Sequence, residues 1–203
     1  RRLAREARAT RSVEHPNVVR VAEVGVDRRL ARPYIAMELL RGRDLGTIMK
    51  SLGALDPRTA ARLFVQICRG LEAVHQQGIV HRDVKPANVI LHEDGEELVA
   101  KVCDFGLAKR VGLDTGGSNS LTKTGMLLGS PRYMSPEQAR DARSVNVQSD
   151  VWSLAAALYE TLSGTRIWGE NRHLSEIILD ICSREPPPLG DLAPWLDPAL
   201  VEV

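Results

Sequence analysis

Two β-rich runs, residues 88–92 (NVILH) and 98–103 (LVAKVC), are separated only by the turn-forming EDGEE, which commits the middle of the chain to a hairpin. A hairpin brings its two outer ends together. Just before it lies HRDVKPAN (81–88), and just after it lies DFG (104–106), so Asp83, Asn88 and Asp104 are expected to converge despite their distance in sequence. Two carboxylates and an amide oxygen form an all-oxygen set, suited to a hard cation such as Mg2+ that shares its shell with phosphates and water. Lys85 adds a point charge able to neutralise a phosphoryl group in transfer. The set is wrong for zinc, having no thiolate and a single imidazole, His81. It is also wrong for a serine triad, because no serine stands in a nucleophile-elbow context.

The segments around the hairpin read as mixed helix and strand. Residues 1–10 carry Leu3, Ala4, Ala7 and Ala9 among arginines, a weakly amphipathic helix that stops before HPN. Short strands are expected at 17–25 and 32–40, separated by the charged turn VDRR. The clearest helix spans LDPRTAARLFVQICRGLEAVHQQG. Asp56 is its N-cap, Pro57 sits in its first turn, Ala60, Leu63, Phe64, Ile67, Leu71 and Val74 form its apolar stripe, and Gly78 ends it. Residues 112–130 are Gly/Ser/Thr-rich without periodicity, a long loop of the kind that usually carries function. A second helix over SDVWSLAAALYETLSG, with Ser149 as cap and Gly164 as stop, is apolar nearly all round and is expected to be buried. The EPPPLGDLAP stretch reads as a rigid, exposed connection.

Composition removes several classes of function. Twenty-seven basic side chains balance 26 acidic ones, so no long-range field recruits nucleic acid or anionic lipid. No apolar run approaches the ~20 residues of a membrane span, and no secretory signal is present. Cys68, Cys103 and Cys182 are scattered and odd in number, which points to reduced, small buried residues in a cytosolic setting.

HRDVKPAN, DFG and SPE (135–137), in order along the chain, resemble the catalytic loop, metal-binding motif and substrate-loop end of eukaryotic-type protein kinases, a family whose parts are a standard template. The resemblance covers essentially the whole chain and leans towards the bacterial serine/threonine subgroup. It implies an α+β, two-lobed protein-kinase-like fold cut at both ends: residues 1–40 as the remnant of the small lobe and hinge, and 41–203 as the helical lobe without its last helices. It implies ATP and Mg2+ as cofactors and transfer of the γ-phosphoryl group to Ser or Thr hydroxyls of protein substrates. Asp83 becomes the catalytic base, Lys85 the stabiliser of the transferring phosphate, and Asn88 and Asp104 the metal ligands. The adenine edge would meet the Glu38 carbonyl and the Leu40 amide, with Met37 as gatekeeper and Ile90 as floor. Glu6 would pair with a lysine on a preceding strand. Ser130 would sit beside the acceptor, and Asp150 would cap its helix and support the catalytic loop.

The same resemblance marks Thr122 and Thr124 as autophosphorylation sites, with Arg82 as the cation that orders the modified loop, and with a homodimer as the means of autophosphorylation. It places the domain in the cytoplasm, as part of a protein anchored to a membrane elsewhere in its chain. The Gly-rich phosphate loop and the lysine strand would lie before Arg1, and Glu137 lacks its expected arginine, so these 203 residues alone are expected to bind ATP poorly. Two further readings fit parts of the pattern. One is a pseudokinase-like scaffold, against which stand the intact Asp83, Lys85, Asn88 and Asp104. The other is an aminoglycoside-kinase-type phosphotransferase, against which stands the Ser/Thr-rich loop ending in SPE.

Overall fold

The computed structural model describes residues 13–27, 29–30, 32–95, 97–104, 131–141, 143–169 and 172–201. Glu6, Thr122, Thr124 and Ser130 lie outside the described residues, as does the expected helix over residues 1–10.

The first strands, β1 (Val21–Asp27) and β2 (Arg32–Met37), pair antiparallel as one ribbon. Asp27 closes the turn between them, its Oδ1 accepting from the amides of Arg29 and Leu30. The strand expected from residue 17 begins instead at Val21. The physical reason is that residues 17–19 belong to another partner: Val102 N donates to Asn17 O at 2.9 Å and Val19 N donates to Val102 O at 2.9 Å. Asn17 is 6% exposed, and its Nδ2 donates to Gln66 Oε1 and to Ala100 O, both at 3.0 Å. The HPN turn therefore docks along the outer edge of the hairpin rather than extending the first ribbon.

A second sheet follows the order β3 (Gly42–Asp44), β4 (Val89–Asp94), β5 (Glu97–Val102), all antiparallel. The β4–β5 hairpin is the one expected from the sequence, in a register that sets Val89 opposite Val102. Short β3 and the helix it feeds, α1 (Leu45–Leu52), have too few residues for a readable period. Asp44 starts that helix by accepting from Thr47 N at 2.8 Å.

Helix α2 (Pro57–Gln76) forms as expected, with Asp56 accepting from Thr59 N at 2.9 Å and Pro57 at its first position. Gly78, just beyond it, takes φ +70° and allows the chain to leave. Its apolar stripe of Leu63, Phe64, Ile67, Leu71 and Val74 is buried against β5 and a long helix, α4 (Val147–Ser163). Burial of each such side chain stabilises the fold by about 1.5–3 kcal/mol. The short α3 (Pro136–Arg140) precedes α4, and α5 (Leu174–Ser183), α6 (Leu189–Leu192) and α7 (Pro198–Val201) complete the helical layer. A satellite cluster of Trp168, Ile177 and Ile181 fixes α5.

Three expectations need correction. Asn146, not Ser149, caps α4: Asn146 Oδ1 accepts from Gln148 N at 2.9 Å, while Ser149 Oγ reaches back to Asn146 N. Nor is α4 buried on every face, because Val151 is 58% exposed. Its buried side is instead small and polar, with Ser149, Asp150, Ser153, Ala156, Ala157 and Thr161, which lets neighbouring backbone approach closely. The cysteines also differ from expectation: Cys68 is exposed on α2, and Cys103 and Cys182 are half-buried.

Candidate active site

The loop between α2 and β4 is held by a buried carboxylate on α4. Asp150, 1% exposed, accepts His81 N at 2.7 Å and His75 Nε2 at 2.8 Å through Oδ2, and Arg82 N at 2.8 Å through Oδ1. As the fourth residue of α4, it is not the helix cap that the sequence pointed to; its hydrogen-bonding capacity goes to the loop. These bonds hold Arg82 at φ +67°, a left-handed conformation that costs a non-glycine residue about 1–3 kcal/mol.

His81 is fully buried and locks the loop to the hairpin. Its Nδ1 accepts from Asp83 N at 3.2 Å, so its Nε2 carries the proton and donates to Cys103 O at 2.9 Å. Burial pushes its pKa below the ordinary histidine value, in keeping with a neutral ring in this position. Gln138 of α3 adds a strut that the sequence did not single out, donating from Nε2 to Arg82 O at 3.0 Å.

Asp83 emerges from this frame with its side chain 15% exposed. Lys85 Nζ donates to its Oδ2 at 2.9 Å, and Asn88 Nδ2 donates to its backbone O at 2.8 Å and its Oδ2 at 3.2 Å. A single-turn 3-10 helix, Pro86–Asn88, swings Asn88 back to make these contacts. With Nδ2 committed to Asp83, the Asn88 Oδ1 is the amide atom left to accept or ligate.

The far end of the hairpin arrives beside it. Cys103 N donates to Asn88 O at 2.8 Å, and Asp104 follows as the next residue, exposed and at φ +58°. Among the described residues, Arg82 and Asp104 are the two non-glycine positions with positive φ, and both flank this spot. Asp104 is one of the residue types that tolerate that conformation best. The Cys103 thiol is pushed up to about 12 by burial and by the neighbouring Asp104 charge, which makes it a poor nucleophile.

The donor set suits a hard cation in one respect only. Asn88 Oδ1 and the Asp104 carboxylate are oxygen donors on adjoining backbone, and Mg2+ commonly takes just one or two protein oxygens and fills its shell with phosphate and water. No group of three His, Cys, Asp or Glu able to cage a metal ion occurs among the described residues.

The residues expected to meet the adenine border this cluster, the Glu38 charge acting on the Cys103 thiol next to Asp104. Glu38 follows β2, and its Oε1 accepts from Lys101 Nζ at 2.8 Å and Arg20 N at 2.9 Å. Burial disfavours the Glu38 charge, but these two donors outweigh it and hold the carboxyl below its ordinary range. Lys101 of β5 stands opposite Ile90 of β4, so the ion pair ties Glu38 to the strand paired with the one bearing Ile90. Sequence reasoning missed Lys101, although the alternation of β5 marks it as the charged position facing the hinge. Glu137 is less isolated than expected: Ser149 Oγ donates to its Oε1 at 2.5 Å. Burial raises its pKa, but the bonds to its carboxylate, that of Ser149 first, bring it below normal.

No helix among the described residues is long and apolar enough to cross a membrane. Comparison with known proteins finds the protein kinase domain family matching residues 1–187. A probable serine/threonine-protein kinase of Corynebacterium efficiens is 39% identical over 165 residues, covering 80% of this chain and 24% of the relative. The serine/threonine-protein kinase PknB of Mycobacterium tuberculosis is 41% identical over 165 residues, covering 80% of this chain and 25% of the relative. A probable serine/threonine-protein kinase of Clostridium perfringens is 35% identical over 188 residues, 93% of this chain and 26% of its own length. The chain thus spans about a quarter of the length of these curated relatives. Among solved structures, Rad53 1-466 in complex with AMP-PNP superposes with a TM-score of 0.72 at 26% identity, over 94% of this chain and 45% of that one.

Proposed function

Because the chain belongs to the protein kinase domain family, we propose that the protein transfers the γ-phosphoryl group of ATP to Ser or Thr hydroxyls of protein substrates. The observation that carries this reading is the convergence on Asp83: an ammonium and an amide both donate to its Oδ2, while the backbone leading to Asp104 is bonded to the same asparagine.

In this reading the acceptor hydroxyl hydrogen-bonds to the Asp83 carboxylate. As the hydroxyl oxygen bonds to the γ-phosphorus and the bond from phosphorus to the β–γ bridging oxygen breaks, its proton passes to Asp83 and ADP departs. Lys85, 2.9 Å from Asp83, supplies positive charge where the transferring group becomes most negative. Asn88 Oδ1 and Asp104 would hold Mg2+, which when bound supplies charge neutralisation for the nucleotide phosphates. Ile90 and the Glu38–Leu40 backbone would receive the adenine, with Lys101 keeping the hinge in place. Glu6 would pair with an upstream lysine, Ser130 would flank the acceptor, and autophosphorylation of Thr122 and Thr124 between two copies would activate the protein.

The test is Asp83→Asn in the full-length protein, assayed by transfer of labelled γ-phosphate to itself and to a Ser/Thr peptide mixture. A general base of this kind contributes about 10²–10⁴-fold. Transfer at the wild-type rate by the variant would overturn the assignment.

A further inference from the structure

Beside Asp83 the surface opens into a cavity of about 370 Å3 whose wall includes Asp44, Lys50, Lys85, Tyr133, Glu160 and Arg166. Lys85 belongs both to this wall and to the reaction centre, through its 2.9 Å bond to Asp83. An extended chain advances at most ~3.3–3.6 Å per residue. A peptide whose hydroxyl sits at Asp83 therefore lays its near neighbours over the cavity.

The acids of this cavity are engaged from within the protein. Glu160, its side chain 15% exposed, accepts from Arg166 Nε at 3.4 Å through Oε1 and from the Tyr133 hydroxyl through Oε2. Asp44 accepts from Thr47 N at 2.8 Å through Oδ1 and from Thr47 Oγ1 at 2.6 Å through Oδ2, both bonds belonging to the cap of α1. The cations are engaged less fully. The Lys50 side chain is exposed on the last turn of α1 and makes no hydrogen bond or ion pair among the described residues, its charge acting only at longer range on the Asp44 carboxylate. Among the described residues Arg166 commits Nε alone, leaving both terminal nitrogens of a 32% exposed side chain available. A cationic substrate side chain entering the cavity meets these donors, and the acids it would approach already accept hydrogen bonds from the protein. An anionic one finds up to three N–H groups on Lys50 and the outer edge of a guanidinium, a geometry suited to carboxylate or phosphate.

We infer that this cavity is an acceptor-peptide subsite selecting an anionic side chain, carboxylate or phosphorylated Ser/Thr, within a few residues of the phosphorylated hydroxyl. Arg166 and Lys50 are its specificity-determining residues. The inference deepens the kinase reading and rests on it.

The test uses the full-length protein and peptides that share one acceptor Thr and differ only at the three positions on either side, which carry Glu, phosphoserine or Lys. Wild-type kcat/KM is expected to favour the Glu and phosphoserine peptides over the Lys peptide by about tenfold or more, because each partly exposed charge contact contributes up to roughly fivefold. Phosphoserine exceeding Glu by a further tenfold identifies a phosphorylated substrate as the preferred source of the anion, and parity identifies the carboxylate; both support the subsite. Arg166→Gln with Lys50→Gln is expected to bring the three peptides within about threefold, the change falling on KM. Lys50→Glu alone, at an exposed position outside the Glu160 contact, is expected to shift preference towards the Lys peptide and keeps the test valid if the Arg166 variant fails to fold. Equal wild-type rates on all three peptides, or an unchanged preference in the variants, overturns the subsite while leaving the kinase reading standing. Absence of any phosphate transfer, to peptide or to the protein itself, overturns the kinase reading and the subsite with it.

Discussion

Replacing Asp150 by Asn retains the size and shape of the side chain but converts one of its two acceptor oxygens into a donor. The new amide nitrogen now faces a backbone N–H: His81 N, 2.7 Å from Oδ2 in the wild type, or Arg82 N, 2.8 Å from Oδ1. Whichever way the amide turns, one loop amide loses its partner, and the bonds that remain lose their charge assistance. A hydrogen bond to a charged group contributes about 1.5–3 kcal/mol, and leaving a buried donor unsatisfied costs about 1–3 kcal/mol. Some of this is recovered if Arg82 relaxes from its left-handed conformation, worth about 1–3 kcal/mol. The net expectation is a loss of about 3 kcal/mol. With a urea slope of about 2–3 kcal/mol/M, the unfolding midpoint falls by about 1–1.5 M. Amide hydrogen exchange gives the sharper reading, because protection at His81 and Arg82 should fall further than protection across α2. A midpoint loss equivalent to less than about 1 kcal/mol, with exchange at those two amides unchanged, would refute the idea that Asp150 sets the loop.

His81, held neutral by burial, implies a pH dependence of definite sign. Below the unfolded histidine pKa of ~6.5 the unfolded chain takes up a proton that the folded one does not, so stability is full above that pH. It declines by about 1.4 kcal/mol per pH unit below it, until the lowered folded pKa is reached. Urea titrations from pH 7.5 to 5 should lose one proton of this linkage in His81→Gln, and an identical slope in wild type and variant would count against it. Gly70→Ala sets two opposing effects against each other. Alanine favours a helix interior by about 1 kcal/mol, but a Cβ at residue 70 would stand 2.5 Å from the carbonyl oxygen of Asn17, itself bonded to Val102. Overpacking against fixed backbone costs about 1–3 kcal/mol, so the variant should melt lower, and a raised Tm would show that the HPN turn is not clamped.

The features readable in the sequence are those whose cause is local. Asp56, Pro57 and the stripe from Ala60 to Val74 each act on residues three or four positions away, so the boundaries and buried face of α2 follow from the pattern. The β4–β5 hairpin follows from turn chemistry in the same way, and with it the approach of Asn88 to the segment ending at Asp104. Misreadings arose where a residue had two local options and a distant partner chose between them. Residues 17–19 have strand-forming side chains, but Val102 takes their backbone bonds. Asn146 and Ser149 can both cap a helix, and Ser149 is drawn to Glu137. Cys68 resembles a small core residue, yet it falls at the margin of the buried stripe that holds Ile67 and Leu71 and stays exposed.

By itself, then, the sequence determined that a hairpin would bring the backbone at Asn88 beside the segment ending at Asp104, because turns and helix periods are decided within a few residues. Tertiary structure alone decided how the side chains there are oriented. Asp150 reaches His81 across 69 positions and Lys101 reaches Glu38 across 63, and the charge of the cavity beside Asp83 depends on Arg166 folding back onto Glu160. Such pairings reflect where packed helices and strands place a charge, and no local pattern encodes that.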